Sequence, residues 1–571
     1  MKIDGGEMLA RMLDREGIKN VFALHGGHID SIFQACYDHD IRIFDTRHEQ
    51  AAGHMADAWA RLTGQPGVAL VTAGPGVTDV VTAVANAYMD AVPMVVVGGR
   101  HALAEEELMP LQELHGVPLM QSITKWSRLV RDPKRIPEYA SIAFRHATTG
   151  RPGPVFLEIP ADVLRVQVEE EEVLFPKLYR PEAAPAPPPE AVEKALTMLS
   201  QAERPIIMAG RGVWAANACN ELREFAELTG IPVCANGITR GAVPEDSPLG
   251  LGGFHLVGAA QAMAGAPDAV LLLGARLGLY TGPRGGMIPA GVKIIQVDIE
   301  AGEIGRGRDI DVGIVADCRE ALRALVRAAG GRSFSVRDEW AAKLRQARSA
   351  IESMFAAGAL EPDRRPIHPY RLAREVSALM TDAGVLAVDG GETFVWTELA
   401  RMARRPGRHI GHGYLGCLGT GIPFGLAAKV AYPDERVLVF TGDGSVGLNF
   451  SEFDTAVRHN LPVVVVINND QAWGMCKHEQ VVRHGESRIV ATELGPTRYE
   501  KAAEGFGVYG QFVEEPSEII PAIERAFASG RPACVNVMTD PDVISPLVQA
   551  TGPRVERPWA EAVAGRQQAA R

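Results

Sequence analysis

The sequence predicts an α/β protein of three domains, each a mainly parallel sheet flanked by helices. Short apolar, β-branched runs alternate with amphipathic segments along almost the whole chain, the pattern of strand–helix–strand crossovers. A chain of 571 residues is also long for a single core. Two polar connectors divide it, an acidic and proline-rich stretch at 169–189 and a charged segment at 330–366. We therefore expect domains at 1–176, 190–330 and 366–550, followed by a tail at 551–571.

Each predicted domain alternates its elements in the same way. The first starts with the helix GGEMLARMLDREG and the strand NVFAL, and continues through IRIFDTRHE, GVALVTAGPG, PMVVVGG and RPGPVFLEIP. The second contains RPIIMAG, PVCANG, AVLLLGAR, VKIIQVDIE and DVGIVAD. Its MAGRGVW turn lacks a full GxGxxG followed by an acid, so a structural turn is favoured over a nucleotide site. The third contains VLAVDGGETF, the loop HIGHGYLGCLGTGIP and the strand ACVNVMTD.

Composition excludes several classes of partner. The net charge of −12 argues against nucleic acid and anionic membrane surfaces. Seven cysteines without CxxC spacing fit reduced thiols better than a disulfide framework. Apolar runs are interrupted within a dozen or so residues, too soon for a transmembrane helix, and the first residues do not resemble a signal peptide. We expect a cytoplasmic protein that acts on small molecules.

The third domain carries the strongest motif, a crossover from Val437 to Met475. Its first strand ends in Gly442-Asp443-Gly444 and its second in Asn468-Asn469-Asp470, with a helix of one to two dozen residues between them. Ends of neighbouring parallel strands lie at one edge of a sheet, so the two acids are expected to face one another. The glycines, and a helix that begins near Ser445, would let phosphates approach the backbone. An all-oxygen shell of this kind suits Mg²⁺, although an isolated GDG is also a common turn.

This GDG–spacer–Asn arrangement resembles thiamine-diphosphate enzymes over essentially the full chain. The resemblance implies thiamine diphosphate and Mg²⁺ as cofactors, with side-chain ligands from Asp443 and Asp470 and a carbonyl ligand from Ala472. The usual Asn is Asp470 here, which still supplies an oxygen. It also implies pyrimidine-binding, middle and diphosphate-binding domains in that order. The first domain of one subunit would face the third domain of another, so a homodimer is the minimum active unit and a homotetramer is expected.

Further cofactor contacts follow from the same resemblance. A carboxylate in a helix's first turn is common for dipole reasons alone, but TRHEQAAGHMADAWAR looks like the glutamate motif of these enzymes. Glu49 would then bond the pyrimidine ring of the cofactor, favour its imino form and have a raised pKa. In GYLGCLG, the Gly416 carbonyl would bind the pyrimidine and Leu418 would hold the cofactor bent. Contacts are also expected from Gly442, Gly444, Ser445 and Met475.

A turn with two histidines resembles one particular group of thiamine-diphosphate enzymes. His25 and His28 lie in HGGHIDSIFQACYDHD, where a strand gives way to a helix, although a histidine in a turn is usually only solvated. Together with FDTRHEQAAGH, ITKWSR, GARLGLYTG, HGYLGCLG and GDGSVG, this turn resembles benzaldehyde lyase. The resemblance implies cleavage and formation of 2-hydroxyketones (acyloins such as benzoin). His28 would be the acid–base group, Gln112 would bond the substrate oxygen, and His25 would orient the bound molecule.

Other positions keep alternatives open. Benzaldehyde lyase has a small residue at Met475 and a tryptophan at Ala161, so aliphatic or formaldehyde-like donors are as open as aromatic ones. Met475 and the GGFH of the middle domain resemble acetolactate synthases, which implies decarboxylation of a 2-oxoacid and leaves room for FAD. The turn at His25–His28 argues against that alternative. A catalytically silent scaffold is a third hypothesis, against which Glu49 and the complete metal motif argue.

Overall fold

The computed structural model describes residues 1–282, 285–380, 384–550 and 552, without the side chains of 259, 260 and 262. The predicted tail at 551–571 therefore lies outside the described residues, apart from Gly552. Three six-stranded sheets carry the fold, and every pairing between neighbours in these sheets is parallel. Helices flank each sheet, so the predicted α/β class with three parallel sheets is confirmed.

The first sheet lies within residues 20–160, with strand order β3-β2-β4-β5-β7-β6, and a separate antiparallel pair joins β1 to β8. The strands are β1 Lys2–Ile3, β2 Asn20–Ala23, β3 Arg42–Asp45, β4 Gly67–Val71, β5 Met94–Arg100, β6 Trp126–Leu129, β7 Pro154–Pro160 and β8 Val168–Glu169. The helices are α1 Gly5–Arg15, α2 Asp30–Asp38, α3 Glu49–Thr63, α4 Pro75–Asp79, α5 Val81–Met89, α6 Gly116–Met120, α7 Ile136–Thr148 and α8 Ala161–Arg165.

The middle sheet has the order β11-β10-β9-β12-β13-β14, typical of dinucleotide-binding folds. Its strands are β9 Pro205–Ala209, β10 Val233–Ala235, β11 Gly250–Gly252, β12 Ala269–Leu273, β13 Lys293–Asp298 and β14 Val312–Val315. The helices are α9 Pro189–Gln201, α10 Arg211–Ala215, α11 Cys219–Thr229, α12 His255–Ala264 and α13 Cys318–Ala329, and the connector forms α14 Trp340–Ala356.

The third sheet has the order β16-β15-β17-β18-β20-β19. Its strands are β15 Gly384–Val388, β16 His409–Gly411, β17 Arg436–Gly442, β18 Val464–Asn469, β19 Tyr509–Val513 and β20 Ala533–Met538. The helices are α15 Pro369–Leu379, α16 Gly391–Ala400, α17 Gly421–Ala431, α18 Asp443–Val446, α19 Glu452–Arg458, α20 Gly474–His484, α21 Tyr499–Glu504, α22 Ile519–Ala528 and α23 Pro546–Gln549.

The crossover after β17 differs from its prediction. Instead of one long helix that begins near Ser445, the chain forms α18 directly at Asp443, then a 3₁₀ turn at Gly447–Asn449, then the seven-residue α19. Glycines at 444 and 447 weaken a continuous helix at these positions. The break places Asp443 in the first turn of a helix and leaves α19 free to pack elsewhere.

The first and third domains of one chain share a single apolar core. Helix α3 packs on α17, and both present alanines and glycines that let their backbones approach closely. Phe22, Phe44 and Met55 from the first domain join Phe424 and Phe453 from the third in this cluster. Each Å² of apolar surface buried in this cluster stabilises the fold by about 25 cal/mol. The shared cluster therefore fixes the two sheets relative to one another.

Candidate cofactor and active site

Asp443 and Asp470 lie at the carboxyl ends of two paired strands. In the register of β17 and β18, Gly442 is opposite Asn468, so each acid follows shortly after its strand. Both line one cavity of about 1110 Å³. Burial and the charge of Asp470 raise the pKa of Asp443, and burial also raises the pKa of Asp470. Oδ2 of Asp443 is buried without a hydrogen-bond partner in the described structure. Two buried acids with a free oxygen fit a divalent cation.

The neighbouring amides explain why Asp470 faces the cavity. Side chains alternate along a strand, and Asn469 points the other way, donating from Nδ2 to Oδ1 of Asn536 at 3.0 Å. Asn468 lines the cavity and donates to Oγ1 of Thr393 at 3.0 Å. This geometry therefore favours Asp470 over Asn469 as the residue that faces the cavity. Ala472 also lines the cavity, and its N–H donates to Oδ1 of Asp470 at 3.2 Å.

Glycines leave the room that phosphate groups would need. Gly442, Gly444 and Ser445 line the cavity together with Gly390, whose φ of 106° disfavours any other residue. A Cβ on Gly444 would lie 2.7 Å from the ring of Trp473. Backbone N–H groups are thus accessible beside the two acids, and the donor set fits a Mg²⁺-bound diphosphate.

The sequence analysis missed an acid–histidine pair behind this anchor. Oε2 of Glu392 lies 2.6 Å from Nδ1 of His478, and both side chains are buried. Burial opposes the charged form of His478, but the partner carboxylate prevails and raises its pKa. Glu392 also lines the cavity and accepts the N–H of Ser545 at 2.9 Å. No local spacing signals this pair, because its members lie 86 residues apart.

The loop with Gly416 and Leu418 lines the same cavity and is fixed from two sides. Oδ2 of Asp389 accepts the N–H of Gly419 at 3.0 Å and of Gly421 at 2.9 Å. From the first domain, Asp90 accepts the N–H of Tyr414 at 3.0 Å. Leu418 is only half-buried, so its side chain is accessible for the predicted role of holding the cofactor bent.

A buried ion network holds Asp90 in place. Arg61 lies between Asp90 at 2.6 Å and Asp57 at 2.7 Å, and all three side chains are buried. This network also fixes the approach to the loop, since a Cβ on Gly413 would meet Oδ2 of Asp90. Asp57 and Arg61 are oppositely charged residues at an i, i+4 spacing in one helix, which is the sequence signal that could have found them.

Glu49 lies at the start of the helix after β3, as the sequence predicts. It is the first residue of α3, directly after β3, and is 6 % exposed. Burial raises its pKa, and the negative charge of Asp79 adds to that effect. A buried carboxyl of this kind can share a proton with a ring nitrogen. Its role toward a cofactor stays a prediction.

His28 and Gln112 lie at the same edge of the first sheet. Nδ1 of His28 is 3.5 Å from the hydroxyl of Thr72, which follows β4. Burial, then the positive charge of Arg165, lowers the pKa of His28, which keeps its imidazole neutral near pH 7. Gln112 has a φ of 62° and lies against Gly74.

His25 lies further out on the turn. It is exposed, its Nε2 is 2.9 Å from Oδ1 of Asp30, and its ring meets Phe33 edge-on. The structure therefore brings Glu49, His25, His28 and Gln112 to one sheet edge. None of the described residues that line the large cavity belongs to the first domain. Within one chain the two predicted halves of the site are separate, as a site formed between two chains requires.

A second crevice of about 450 Å³ lies at the carboxyl edge of the middle sheet. The MAGRGVW turn, interpreted above as structural, lines it with Gly210, Arg211 and Gly212. Burial lowers the pKa of Arg211 to about 10, and its Nε has no partner in the described structure. Tyr414 of the third domain forms the opposite wall. FAD at this crevice stays a prediction.

Comparison with known proteins identifies the family. Three family models match: "Thiamine pyrophosphate enzyme, N-terminal TPP binding domain" at residues 3–119, the central domain at 192–325, and the C-terminal TPP binding domain at 389–537. The chain belongs to the thiamine pyrophosphate enzymes. The predicted family and its thiamine diphosphate cofactor are confirmed, and Mg²⁺ is typical for the family.

Individual relatives cover almost the whole chain. It is 35 % identical to an acetolactate synthase large subunit of Mycobacterium tuberculosis, over 95 % of this chain and 96 % of that one. It is 32 % identical to 2-hydroxyacyl-CoA lyase 2 of Bos taurus, over 94 % of this chain and 90 % of that one. The names of these relatives match the predicted alternative, an acetolactate synthase-like enzyme, and the broader class of lyases and carboligases better than benzaldehyde lyase. Benzaldehyde lyase activity stays a prediction. Within the described residues, no helix has the length and apolarity to span a membrane.

Proposed function

We propose that the protein is a thiamine-diphosphate and Mg²⁺ dependent lyase and carboligase. It would cleave and form the carbon–carbon bond of acyloins, with aldehydes as products and substrates. The observation that carries this proposal is the wall of the large cavity beyond the metal anchor. That wall is apolar, with Met263, Leu279, Met287, Met354 and Leu547. No lysine or arginine stands among the described residues of this wall, none of which belongs to the first domain, where the charge of Arg165 acts on His28.

The lining favours a neutral substrate. A 2-oxoacid carries a carboxylate, whose transfer from water into an apolar site is costly without a cation. An acyloin or an aldehyde carries no charge and needs only hydrogen bonds to its oxygens. The similarity to a 2-hydroxyacyl-CoA lyase supports the lyase class, because that name also describes a 2-hydroxycarbonyl substrate.

Each side chain has a defined task in this reaction. Asp443 and Asp470 would hold Mg²⁺ and thereby the diphosphate. When bound, thiamine diphosphate supplies a nucleophilic carbon and accepts the electron pair of the broken bond. Glu49 holds a proton against the pyrimidine nitrogen. His28, neutral because burial lowers its pKa, takes the proton of the substrate hydroxyl, and Gln112 donates to the substrate oxygen. Two aldehydes leave, and the reverse reaction joins them.

Acetolactate-synthase-like decarboxylation of a 2-oxoacid is the second candidate. The 35 % identity to acetolactate synthase favours it, as does Met475, which lines the cavity next to Gly391. In this case the middle crevice would hold FAD, and a visible absorption spectrum of the purified protein would detect that flavin.

One experiment separates the two candidates. The holoenzyme is incubated with benzoin, with acetoin and with pyruvate, and aldehydes and CO₂ are measured for each. Aldehyde release without CO₂ supports the lyase, whereas CO₂ from pyruvate and none of the aldehydes would overturn it. Glu49→Gln is the inactive control. Light scattering of the same sample tests the proposed homodimer or homotetramer.

A further inference from the structure

Glu452 is a fully buried carboxylate for which the reaction above gives no task. It is the first residue of α19, nine residues after Asp443, and its side chain is 0 % exposed. Both of its oxygens accept the backbone N–H of Arg47, each at 3.2 Å. Burial raises the pKa of Glu452, whereas the backbone of His48 lies close enough to favour the charged form and so to lower that pKa. The hydroxyl of Thr455 completes the set at 2.6 Å.

The backbone donor comes from the turn that leads into Glu49, whereas Thr455 lies on α19 itself. Arg47 and His48 are the last two residues before α3, and Thr46 donates from Oγ1 to the carbonyl of His48 at 2.8 Å. His459, the residue directly after α19, contacts the same segment, with its Nε2 2.9 Å from Oδ1 of Asp45. The third domain therefore binds residues 45–48 of the first domain in the same chain. A free carboxylate would not stay buried here without these donors.

We propose that Glu452 is a positioning residue for Glu49, and this proposal rests on the function proposed above. A carboxyl that holds a proton at a ring nitrogen must be placed to a fraction of an ångström. Glu452 fixes the backbone of the turn directly before that carboxyl. The N–H group that donates to Glu452 belongs to the same chain, so this contact forms without a bound cofactor.

This assignment predicts which active site of a dimer depends on Glu452. The residue lies in the third domain, close in sequence to Asp443. It nevertheless acts on Glu49 of its own chain. That Glu49 belongs to the active site whose Asp443 comes from the neighbouring chain. A defect at Glu452 therefore affects the same site as a defect at Glu49 of that chain.

The first test measures cofactor activation in Glu452→Gln. An amide accepts fewer N–H donors than a carboxylate, so the turn loosens. We expect hydrogen–deuterium exchange at the reactive carbon of bound thiamine diphosphate to slow by about tenfold or more. The dissociation constant of the cofactor should change less than about threefold, since the metal anchor is intact. Unchanged exchange would overturn the proposal.

Two further variants keep the test decisive. Asp454→Asn is the matched control, because Asp454 lies on the same helix and, among the described residues, pairs with the side chains of Arg458 and Arg47 and not with the backbone of the turn. Its exchange rate should equal that of the wild type. If Glu452→Gln does not fold, Thr455→Val removes one donor to Glu452 and should slow exchange in the same direction by a smaller factor. Normal exchange in a folded Thr455→Val protein would then count against the proposal.

The second test uses mixed dimers of Glu452→Gln and Asp443→Asn chains made by co-expression. If Glu452 acts through Glu49, one site of each mixed dimer is intact, and about a quarter of the wild-type activity returns under random pairing. If Glu452 instead supports its own chain's Asp443, both sites are impaired and no activity returns. A reference pair of Glu49→Gln and Asp443→Asn tests the shared site itself. Failure of that pair alone would reject the between-chain site, and the exchange assay would still decide Glu452.

Discussion

The first and third domains share one strand order and carry different chemistry. Numbered along the chain, the six strands of each sheet lie in the order 2-1-3-4-6-5. In the third domain, acids follow strands 3 and 4, at Asp443 and Asp470. In the first domain, strands 1 and 2 are followed by His28 and Glu49. The same strand order thus carries the proposed metal ligands in the third domain and the proposed proton-handling groups in the first.

The middle sheet differs from the other two in its strand order. Its order of 3-2-1-4-5-6 places the crevice at a different switch point, beside Gly210 and Gly274. Glycines and several arginines line this crevice, together with acids such as Asp298 and Glu303. Neighbouring domains of similar α/β pattern therefore differ in function through the few residues that follow each strand.

The largest expected effect comes from breaking the acid pair of the third domain. Asp443→Asn should weaken binding of Mg²⁺ and thiamine diphosphate by about 100-fold or more, since a direct ligand is worth more than an outer-shell contact. Isothermal titration of the variant with cofactor and Mg²⁺ measures this. Binding within about threefold of the wild type would contradict the anchor.

The same variant should stabilise the protein without cofactor. The pKa of Asp443 is raised by burial and by Asp470, so its folded pKa exceeds that of the unfolded chain. Stability from this group is present at low pH and is lost as pH rises, because ionisation at neutral pH is opposed in the folded state. Thermal unfolding at pH 7 without Mg²⁺ should therefore occur at a higher temperature in Asp443→Asn. A lower temperature would contradict the buried acid pair.

The next effect concerns the first domain. Glu49→Gln should retain cofactor affinity but slow turnover by about 100- to 10,000-fold, the range of a lost general acid–base group. Steady-state rates together with cofactor titration separate these two quantities. Turnover close to that of the wild type would remove Glu49 from the mechanism.

A smaller effect is expected in the pH dependence. Burial lowers the pKa of His28, so its neutral form persists below the ordinary value of 6.5. Turnover limited by His28 should therefore fall only at pH values below about 6.5. His28→Ala should remove this fall in turnover at low pH and slow acyloin cleavage. If turnover of His28→Ala still fell at low pH, the fall would belong to another group.

The smallest effect concerns the shape of the substrate cavity. Met475→Ala shortens a half-buried side chain beside Gly391. Specificity should shift by about tenfold toward bulkier acyloins, since one or two methylenes in an apolar site change discrimination by that order. The ratio of kcat/KM for benzoin and acetoin measures the shift, and an unchanged ratio would place Met475 outside the substrate contacts.

Contiguous motifs explain how much the sequence could predict. Asp443, Asp470, Glu49 and the parallel sheets follow from local patterns, namely apolar runs that end in acids and glycines. The edge strands Trp126–Leu129 and Tyr509–Val513 were missed, because each is short and half-buried. The break of the crossover into α18 and α19 was also missed, since Gly444 was interpreted as a phosphate contact only and Gly447 was given no role.

Contacts across long separations lay beyond the sequence. Asp90 and Tyr414 are 324 residues apart, and Arg47 and Glu452 are 405 residues apart. No spacing rule links such pairs, because the packing of the two domains, including that of α3 on α17, brings them together. Residues that position the site are consequently less visible than residues that carry the chemistry.

The most direct measurement of the central claim is a crystal structure with thiamine diphosphate and Mg²⁺ bound. We expect Mg²⁺ between the carboxylates of Asp443 and Asp470, and the pyrimidine ring within hydrogen-bond distance of Glu49 from the neighbouring chain. His28 of that same neighbouring chain should face the reactive carbon. A metal bound away from the two acids, or a pyrimidine ring that contacts no Glu49, would contradict the account.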